Sequence, residues 1–343
     1  MEYSVLGRTG VRVSRICLGT AAFGVAPDAE EACRIVGAAL DLGINFVDTA
    51  DVYGDMPVFD RVGAPPAAER EPAEQILGRA LRGRRDRMVI ATKSNGITGF
   101  GVNDRGLSRR HIVRQVETSL RRLETDWIDL YYAHDPDPDT PLEETLAVYD
   151  DLIRQGKLRY VGLSNHPAWQ VTRALWIADD RRLASAPAAA EVKYNLVDRA
   201  AERELGAACQ ELGVSIIPYA PLHGGLLADL AVLDREVAGD ERSGAAGFSP
   251  AEIALAGEVD QLAREWGLPM NQVALAWLLS RPAVASVIIG PESERELRAN
   301  APAAAVRLTA EQLDALTALA VEPPAFRHRA GDGPRQRSSA ATA

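Results

Sequence analysis

Basic charge, cysteine and long apolar runs are all scarce in this chain of 343 residues, and each shortage excludes something. The formal net charge is −10, whereas contact with phosphate backbones needs a basic surface, so a general nucleic-acid binder is excluded. Local basic clusters such as "RGRRDR" read as solvated helix ends. The three cysteines, Cys17, Cys33 and Cys209, are odd in number and far apart, which argues against a disulfide framework or a zinc knuckle and leaves buried thiols. No apolar run approaches the roughly 18 residues needed to cross a bilayer, and the opening "MEYSVLGRTGVRVS" lacks the order of a signal peptide. The expectation is a cytoplasmic protein with no membrane partner. A complete G-x-G-x-x-G after the first strand is also missing, since "LGTAAFG" does not fit and "GFGVND" is partial.

What the chain does have is alternation. Eight short runs rich in Val, Ile, Leu or aromatics read as strands: "RICLGT", "INFVDTA", "MVIATK", "IDLYYAH", "YVGLSN", "AAAEVKY", "SIIPYAP" and "SVIIG". Between them lie segments with helical spacing. In "EEACRIVGAALDLG", Ala32, Ile35, Val36, Ala39 and Leu40 share a face and Gly43 supplies the stop. In "SRRHIVRQVETSLRRLET", Ser108 is the expected cap. Eight strand-then-helix units predict an α/β fold, a (β/α)8 TIM barrel, with the doubly wound sheet as its rival. The opening predicts an N-terminal β-hairpin closing the barrel, and "TAEQLDALTALA" an extra C-terminal helix outside the repeat. No linker divides the alternation, which reads as a single domain over 1–321. The Pro-, Arg- and Ser-rich tail over 322–343 is predicted to stay mobile. Two long connections, after the second and seventh strands, fall on the face where barrel active sites form.

In a barrel, polar residues at the C-terminal ends of separate strands converge. The second strand ends in "DTADVYG", which carries Asp48 and Tyr53. The third ends at Lys93 and the fourth at His134. Each supplies what the others need. A phenol with an ordinary pKa near 10 exchanges protons poorly at neutral pH, a neighbouring ammonium stabilises its phenolate, and Asp48 holds the ammonium in place. A charge pair at about 4 Å contributes on the order of 4 kcal/mol at an effective dielectric near 20, before desolvation. This predicts that Lys93 lowers the Tyr53 pKa. His134, as a neutral imidazole, orients a carbonyl oxygen beside the phenol. The set suits polarising and protonating a carbonyl.

Together with "ATK", "DLYYAHDPD", "IRQGKLRYVGLSN", "YNLVDR" and "IPYAPLHGGLL", this pattern resembles the aldo-keto reductase superfamily over about residues 3 to 320. The resemblance implies a (β/α)8 barrel that binds NAD or NADP without a Rossmann motif. It also implies a catalytic tetrad of Asp48, Tyr53, Lys93 and His134, with Tyr53 as general acid. Asp48 counts among the cofactor-lining residues too. Thr20 and Ala21 match positions lining the nicotinamide, Ser164 and Asn165 match residues that bond its carboxamide, and Tyr219 matches the aromatic on which the ring stacks. Leu222, Gly224 and Leu226 match the loop whose backbone approaches the pyrophosphate. The segment "IIGPESERELRAN", with Gly290, Glu292, Glu296 and Asn300, matches the part that contacts adenosine. The implied partner is a small carbonyl compound or sugar, with a weaker likeness to deoxysugar reductases. Some similar proteins are regulatory subunits that use the cofactor as a sensor.

Two departures bear on chemistry. Glu191 stands where the family commonly has Gln against the carboxamide. An ionised glutamate accepts but cannot donate, and it favours the oxidised, positively charged nicotinamide, which leaves alcohol oxidation open. The alternative is that Glu191 pairs with Lys193 on the same strand face. At the adenosine end, Glu292 and Glu296 oppose a 2′-phosphate and suit a ribose hydroxyl, although Arg295 and Arg298 supply compensating charge. No metal site is expected. "HDPDPDT" lacks the glycine and final glutamate of a calcium loop, and His134 and His166 lack the partners a metal-dependent hydrolase would need. His166 and His223 read as loop-bonding residues, His111 and His328 as peripheral, and Trp169 and Trp176 as packing residues.

Overall fold

The computed structural model describes residues 1–54, 65–234 and 247–319. It opens with the expected hairpin, β1 (Tyr3–Val5) antiparallel to β2 (Arg12–Ser14). Eight parallel strands follow: β3 (Ile16–Gly19), β4 (Phe46–Asp48), β5 (Val89–Ser94), β6 (Ile128–Ala133), β7 (Leu158–Ser164), β8 (Pro187–Lys193), β9 (Ser215–Tyr219) and β10 (Val287–Ile289). They form one sheet in the order β10-β3-β4-β5-β6-β7-β8-β9. Its two edges meet where Ile216 of β9 exchanges backbone hydrogen bonds with Ala283 (2.7 Å) and Ala285 (3.1 Å), just ahead of β10. This is a (β/α)8 barrel.

The helices are α1 (Ala29–Asp41), α2 (Ala73–Ala80), α3 (Arg109–Arg122), α4 (Leu142–Arg154), α5 (Ala168–Asp180), α6 (Leu205–Leu212), α7 (Pro250–Glu265), α8 (Met270–Leu279), α9 (Glu294–Asn300) and α10 (Ala310–Ala318). The cap residues act as their chemistry dictates: the Ser108 hydroxyl accepts from His111 N (3.4 Å), and Gly43 turns left-handed at φ 79° beyond α1. Two helices, α7 and α8, lie between β9 and β10, one more than the repeat requires. The first begins at Ser249, whose side chain forms a capping box with Glu252. The extra terminal helix is α10, capped by Thr309. The tail over 322–343 and much of the two long connections lie outside the described residues.

Strand periodicity sorts the core into two compartments. Outward-facing Leu18, Val47, Ile90, Tyr131 and Ile216 pack under the helices. Inward-facing Cys17, Phe46, Ala91, Leu130, Tyr132, Ala189 and Ile217 fill the barrel with Leu6 and Val13 of the hairpin segment. At Gly162 the barrel needs a missing side chain, because a Cβ there would lie 2.4 Å from the Tyr132 ring. The hairpin seals the N-terminal end: Gly7 N–H donates to Ser215 Oγ (2.7 Å), and a Cβ at Gly7 would lie 2.3 Å from Ala188 O. Functional groups can therefore gather only at the other end.

Candidate active site

The same parity places the reactive side chains. Asp48 is two residues beyond inward-facing Phe46, Lys93 beyond Ala91, His134 beyond Tyr132, Glu191 beyond Ala189 and Tyr219 beyond Ile217. Each strand thus carries its apolar filling one step upward into a polar layer at the C-terminal mouth.

Lys93, with no exposed surface, is the hub of that layer. Its ammonium donates to Asp48 Oδ2, to Thr49 O (3.0 Å) and to the Tyr53 hydroxyl (3.4 Å), and lies 3.4 Å from Glu191 Oε1. His134 meets the Tyr53 ring edge-on, with centroids 5.8 Å apart. The four residues expected to act together are in one place. Asn165, at φ 60°, is locked by Nδ2 donating to His134 O (3.0 Å) and by Oδ1 accepting from the Tyr219 hydroxyl (2.9 Å). Asn tolerates this left-handed backbone better than most residues.

The electrostatics correct the expectation for the phenol. Burial pushes the Tyr53 pKa up. Lys93 opposes this, but the negative charge of Asp48 and Glu191 adds to the rise, so the net shift is upward rather than downward. Lys93 stabilises the phenolate relative to a site without it, yet the phenol stays protonated throughout the neutral range. Burial likewise opposes the Lys93 charge, but Asp48, Glu191 and Tyr53 hold its pKa well above the ordinary value.

Glu191 departs further. It does not pair with Lys193, which lies exposed past the mouth, 3.5 Å from Asp198. Glu191 is 2% exposed and turned inward toward Lys93. Burial first, and then Asp48, drive its carboxyl pKa well above the usual range, against the pull of Lys93. Asp48 takes the ammonium's direct hydrogen bond, so the proton belongs on Glu191. Among the described residues no donor reaches Asp48 Oδ1 or Glu191 Oε2. Burial raises the Asp48 carboxyl as well, but the pull of Lys93 holds it back, so of the pair Glu191 is shifted further. The neutral carboxyl can donate as well as accept, unlike the ionised glutamate expected from sequence.

The other expected positions divide into side chains that face the mouth and side chains already engaged. Ala21 is half-buried beside β3, whereas Ser164, in register with Glu191, is wholly buried and its hydroxyl accepts from Asn165 Nδ2 (3.2 Å). The Thr20 hydroxyl is wholly buried and donates to Asp48 O (3.0 Å). Leu226 is fully buried, Leu222 half-buried, and between them His223, Gly224 and Gly225 all have positive φ (46°, 66° and 97°), which leaves backbone rather than side chain facing out. Gly290 follows β10 directly and is exposed. Glu296 Oε2 accepts from Glu292 N (2.9 Å), Ser293 Oγ accepts from Glu296 N (3.3 Å), and Asn300 Oδ1 accepts from Asn271 (2.8 Å). Arg298 pairs with Glu294 rather than standing as a spare cation.

Three smaller expectations change. His111 is fully buried, not peripheral, and His328 lies outside the described residues. Trp169 and Trp176 are 59% and 64% exposed on α5 instead of packed. Trp169 borders a surface cleft of about 430 Å³ that also touches Pro136, Thr140 and His166 but no tetrad residue. His166 and His223 do act as loop residues: the first bonds Ser164 O through Nδ1 (2.7 Å) and has its pKa pulled by burial to about 4, and the second bonds Glu252 (3.0 Å). Among the described residues no group of three or more metal-ligating side chains occurs, and no helix is long and apolar enough to cross a membrane.

Sequence reasoning missed what holds Tyr53 in place. Ala73 N, at the start of α2, donates to Tyr53 O (2.9 Å), and Gly54 (φ 95°) admits this approach, since a Cβ there would lie 2.6 Å from Ala73 N. Glu74 beside it is buried against Thr92 (2.7 Å) and Arg122 (3.4 Å), and Arg122 also holds Asp51 O (2.8 Å). A carboxylate on the apolar face of a short helix was the available signal.

Several proteins similar to this chain are named as oxidoreductases or reductases. The Aldo/keto reductase family profile matches residues 15–321. The chain belongs to that family. It is 38% identical over 320 residues to an uncharacterized oxidoreductase, YrpG, of Bacillus subtilis (strain 168), covering 91% of this chain and 94% of the relative. It is 33% identical to a probable voltage-gated potassium channel subunit beta of Oryza sativa subsp. japonica, covering 94% and 98%. It is 31% identical to the versiconal hemiacetal acetate reductase of Aspergillus parasiticus, covering 92% and 96%.

Proposed function

We propose that this protein interconverts a carbonyl compound and its alcohol using NAD or NADP, with Tyr53 exchanging the proton. The observation that carries the reading is the Tyr53 hydroxyl 3.4 Å from the buried Lys93 ammonium, beside Asp48 and His134. The residues present fit a nicotinamide dinucleotide. Ser164, Asn165, Glu191 and Tyr219 offer polar atoms and a flat ring on adjacent strands, with Ala21 nearby, and the positive-φ turn around Gly224 offers backbone to a diphosphate. When bound, the dinucleotide supplies or accepts a hydride.

The chain's own residues then handle the oxygen and its proton. In reduction, Tyr53 donates its phenolic proton to the substrate oxygen as negative charge grows there, and Lys93 stabilises the phenolate that remains. His134 donates to the same oxygen and orients it. Asp48 and Thr49 O fix the ammonium, while the hydrogen bond from Ala73 N to Tyr53 O keeps Tyr53 within its reach. Oxidation runs the same steps backward.

For substrate, the loop after β5 leaves Ile97, Phe100 and Val102 exposed just past the strand that carries Lys93. This favours an apolar aldehyde or ketone over a sugar. The relatives named as channel subunits favour a second reading, a cofactor-sensing subunit with vestigial turnover. A panel of aldehydes, ketones and sugars assayed with NADH and with NADPH separates the two. Multiple turnovers on an apolar carbonyl are expected; tight dinucleotide binding with negligible oxidation would favour the sensor.

A further inference from the structure

Two carboxyls and one ammonium are buried together at the mouth, and Tyr53 and His134 need only one of those carboxyls. Glu191 is the extra one. It arises from β8, where its register neighbours are Ser164 of β7 and Ile217 of β9, neither of them charged. The titratable groups that face it come from across the barrel. They are Lys93 of β5, Asp48 of β4, Tyr53, and, deeper inside, the Cys17 thiol and the Tyr132 phenol, both kept neutral chiefly by burial. Its backbone O accepts from Asn165 N (2.9 Å), so Glu191 is one hydrogen bond from the residue locked by Tyr219 and His134.

We infer that Glu191 is a proton-coupled specificity residue: it holds a proton when the site is empty or faces the neutral reduced nicotinamide, and releases it to solvent when the oxidised, positively charged ring binds. The inference rests on the proposed dinucleotide reading of this site. Among the described residues Lys93 is the one cation that touches the cluster, which balances when one carboxyl is ionised and one is not. A second positive charge beside Glu191 restores balance only if the second carboxyl ionises too. The step conserves atoms and charge: the neutral carboxyl plus oxidised dinucleotide gives the carboxylate–dinucleotide pair plus one proton in the buffer. Such coupling makes oxidised cofactor bind more tightly as pH rises, while affinity for reduced cofactor stays flat. Glutamine at this position could not do this, because its amide does not titrate.

Calorimetric titration of the full-length protein with NAD⁺, NADP⁺, NADH and NADPH, in buffers of different ionisation enthalpy, reads the proton count directly. The wild type should release about one proton per oxidised dinucleotide bound and none for the reduced form. Glu191→Gln should abolish the release and flatten the pH dependence of oxidised-cofactor affinity, leaving affinity for the reduced form within a few-fold. A purely structural role would weaken both forms at every pH and leave the slope alone. A difference infrared spectrum of the wild type gives a second readout that needs no variant: the protonated-carboxyl stretch should vanish on adding NAD⁺ or NADP⁺. Binding with no proton release, equal release in both proteins, or an unchanged carboxyl band would overturn the inference alone. Failure of all four dinucleotides to bind would overturn it together with the reading of the site.

Discussion

The two ends of the proposed dinucleotide site are built differently. At the barrel mouth, charged side chains crowd inward: Lys93 has four polar neighbours, and two carboxyls share the space. At the opposite end, around α9, polar side chains are spent on the protein itself, with Glu296 tying back to Glu292 N, Ser293 capping the helix and Asn300 bound to Asn271. A charge buried against another charge costs stability unless it is compensated, so its persistence points to chemistry. A carboxylate that ties back to a nearby backbone N–H at a helix start needs no such explanation.

Substitutions at each end should separate these roles. Lys93→Met leaves Asp48 and Glu191 buried without their cation. It should destabilise the fold by about 3–5 kcal/mol in chemical denaturation and abolish turnover; a variant as stable as wild type would mean that the cluster is not charged as described. Glu191→Gln should act in the opposite direction. The folded-state pKa of Glu191 lies above its unfolded value, so its contribution to stability is full below that unfolded value, near 4.3, and is lost as pH climbs toward the folded one. The variant should therefore gain on the wild type by about 1.4 kcal/mol for each pH unit within that window, read from melting curves across pH. Parallel curves would contradict a neutral Glu191. At the α9 end the effects should be smaller. Replacing Glu292 and Glu296 by Arg should leave the Ser293 cap in place, remove the carboxylate that accepts from Glu292 N, and shift the kcat/KM ratio several-fold toward NADPH. An unchanged ratio would show that these carboxylates do not face the ribose.

The same contrast explains what was legible in the sequence. All eight strands, the hairpin and the terminal helix follow from period and capping signals, which are local. The meeting of Asp48, Tyr53, Lys93 and His134 was also legible, because strand ends in a barrel converge whatever their separation in the chain. The inward turn of Glu191 was readable only halfway. Parity put it on the inner face, but its choice of Lys93 over Lys193 depends on where β8 ends and solvent begins. The direction of the Tyr53 shift was misread, because a charge pair is visible in a sequence and the depth of burial that outweighs it is not. Trp169 and Trp176 failed for a related reason: helical spacing assigns residues to a common face without saying which face is covered. The additional helix α7 follows a connection that the eightfold repeat does not require.

Everything proposed for the mouth depends on Tyr53 being the group that passes the proton beside Lys93. The most direct measurement is single-turnover reduction by Tyr53→Phe, with dinucleotide affinity determined on the same protein. The account predicts affinity within a few-fold of wild type and a reduction rate lower by about 10²–10⁴. An undiminished rate at full cofactor occupancy would contradict it.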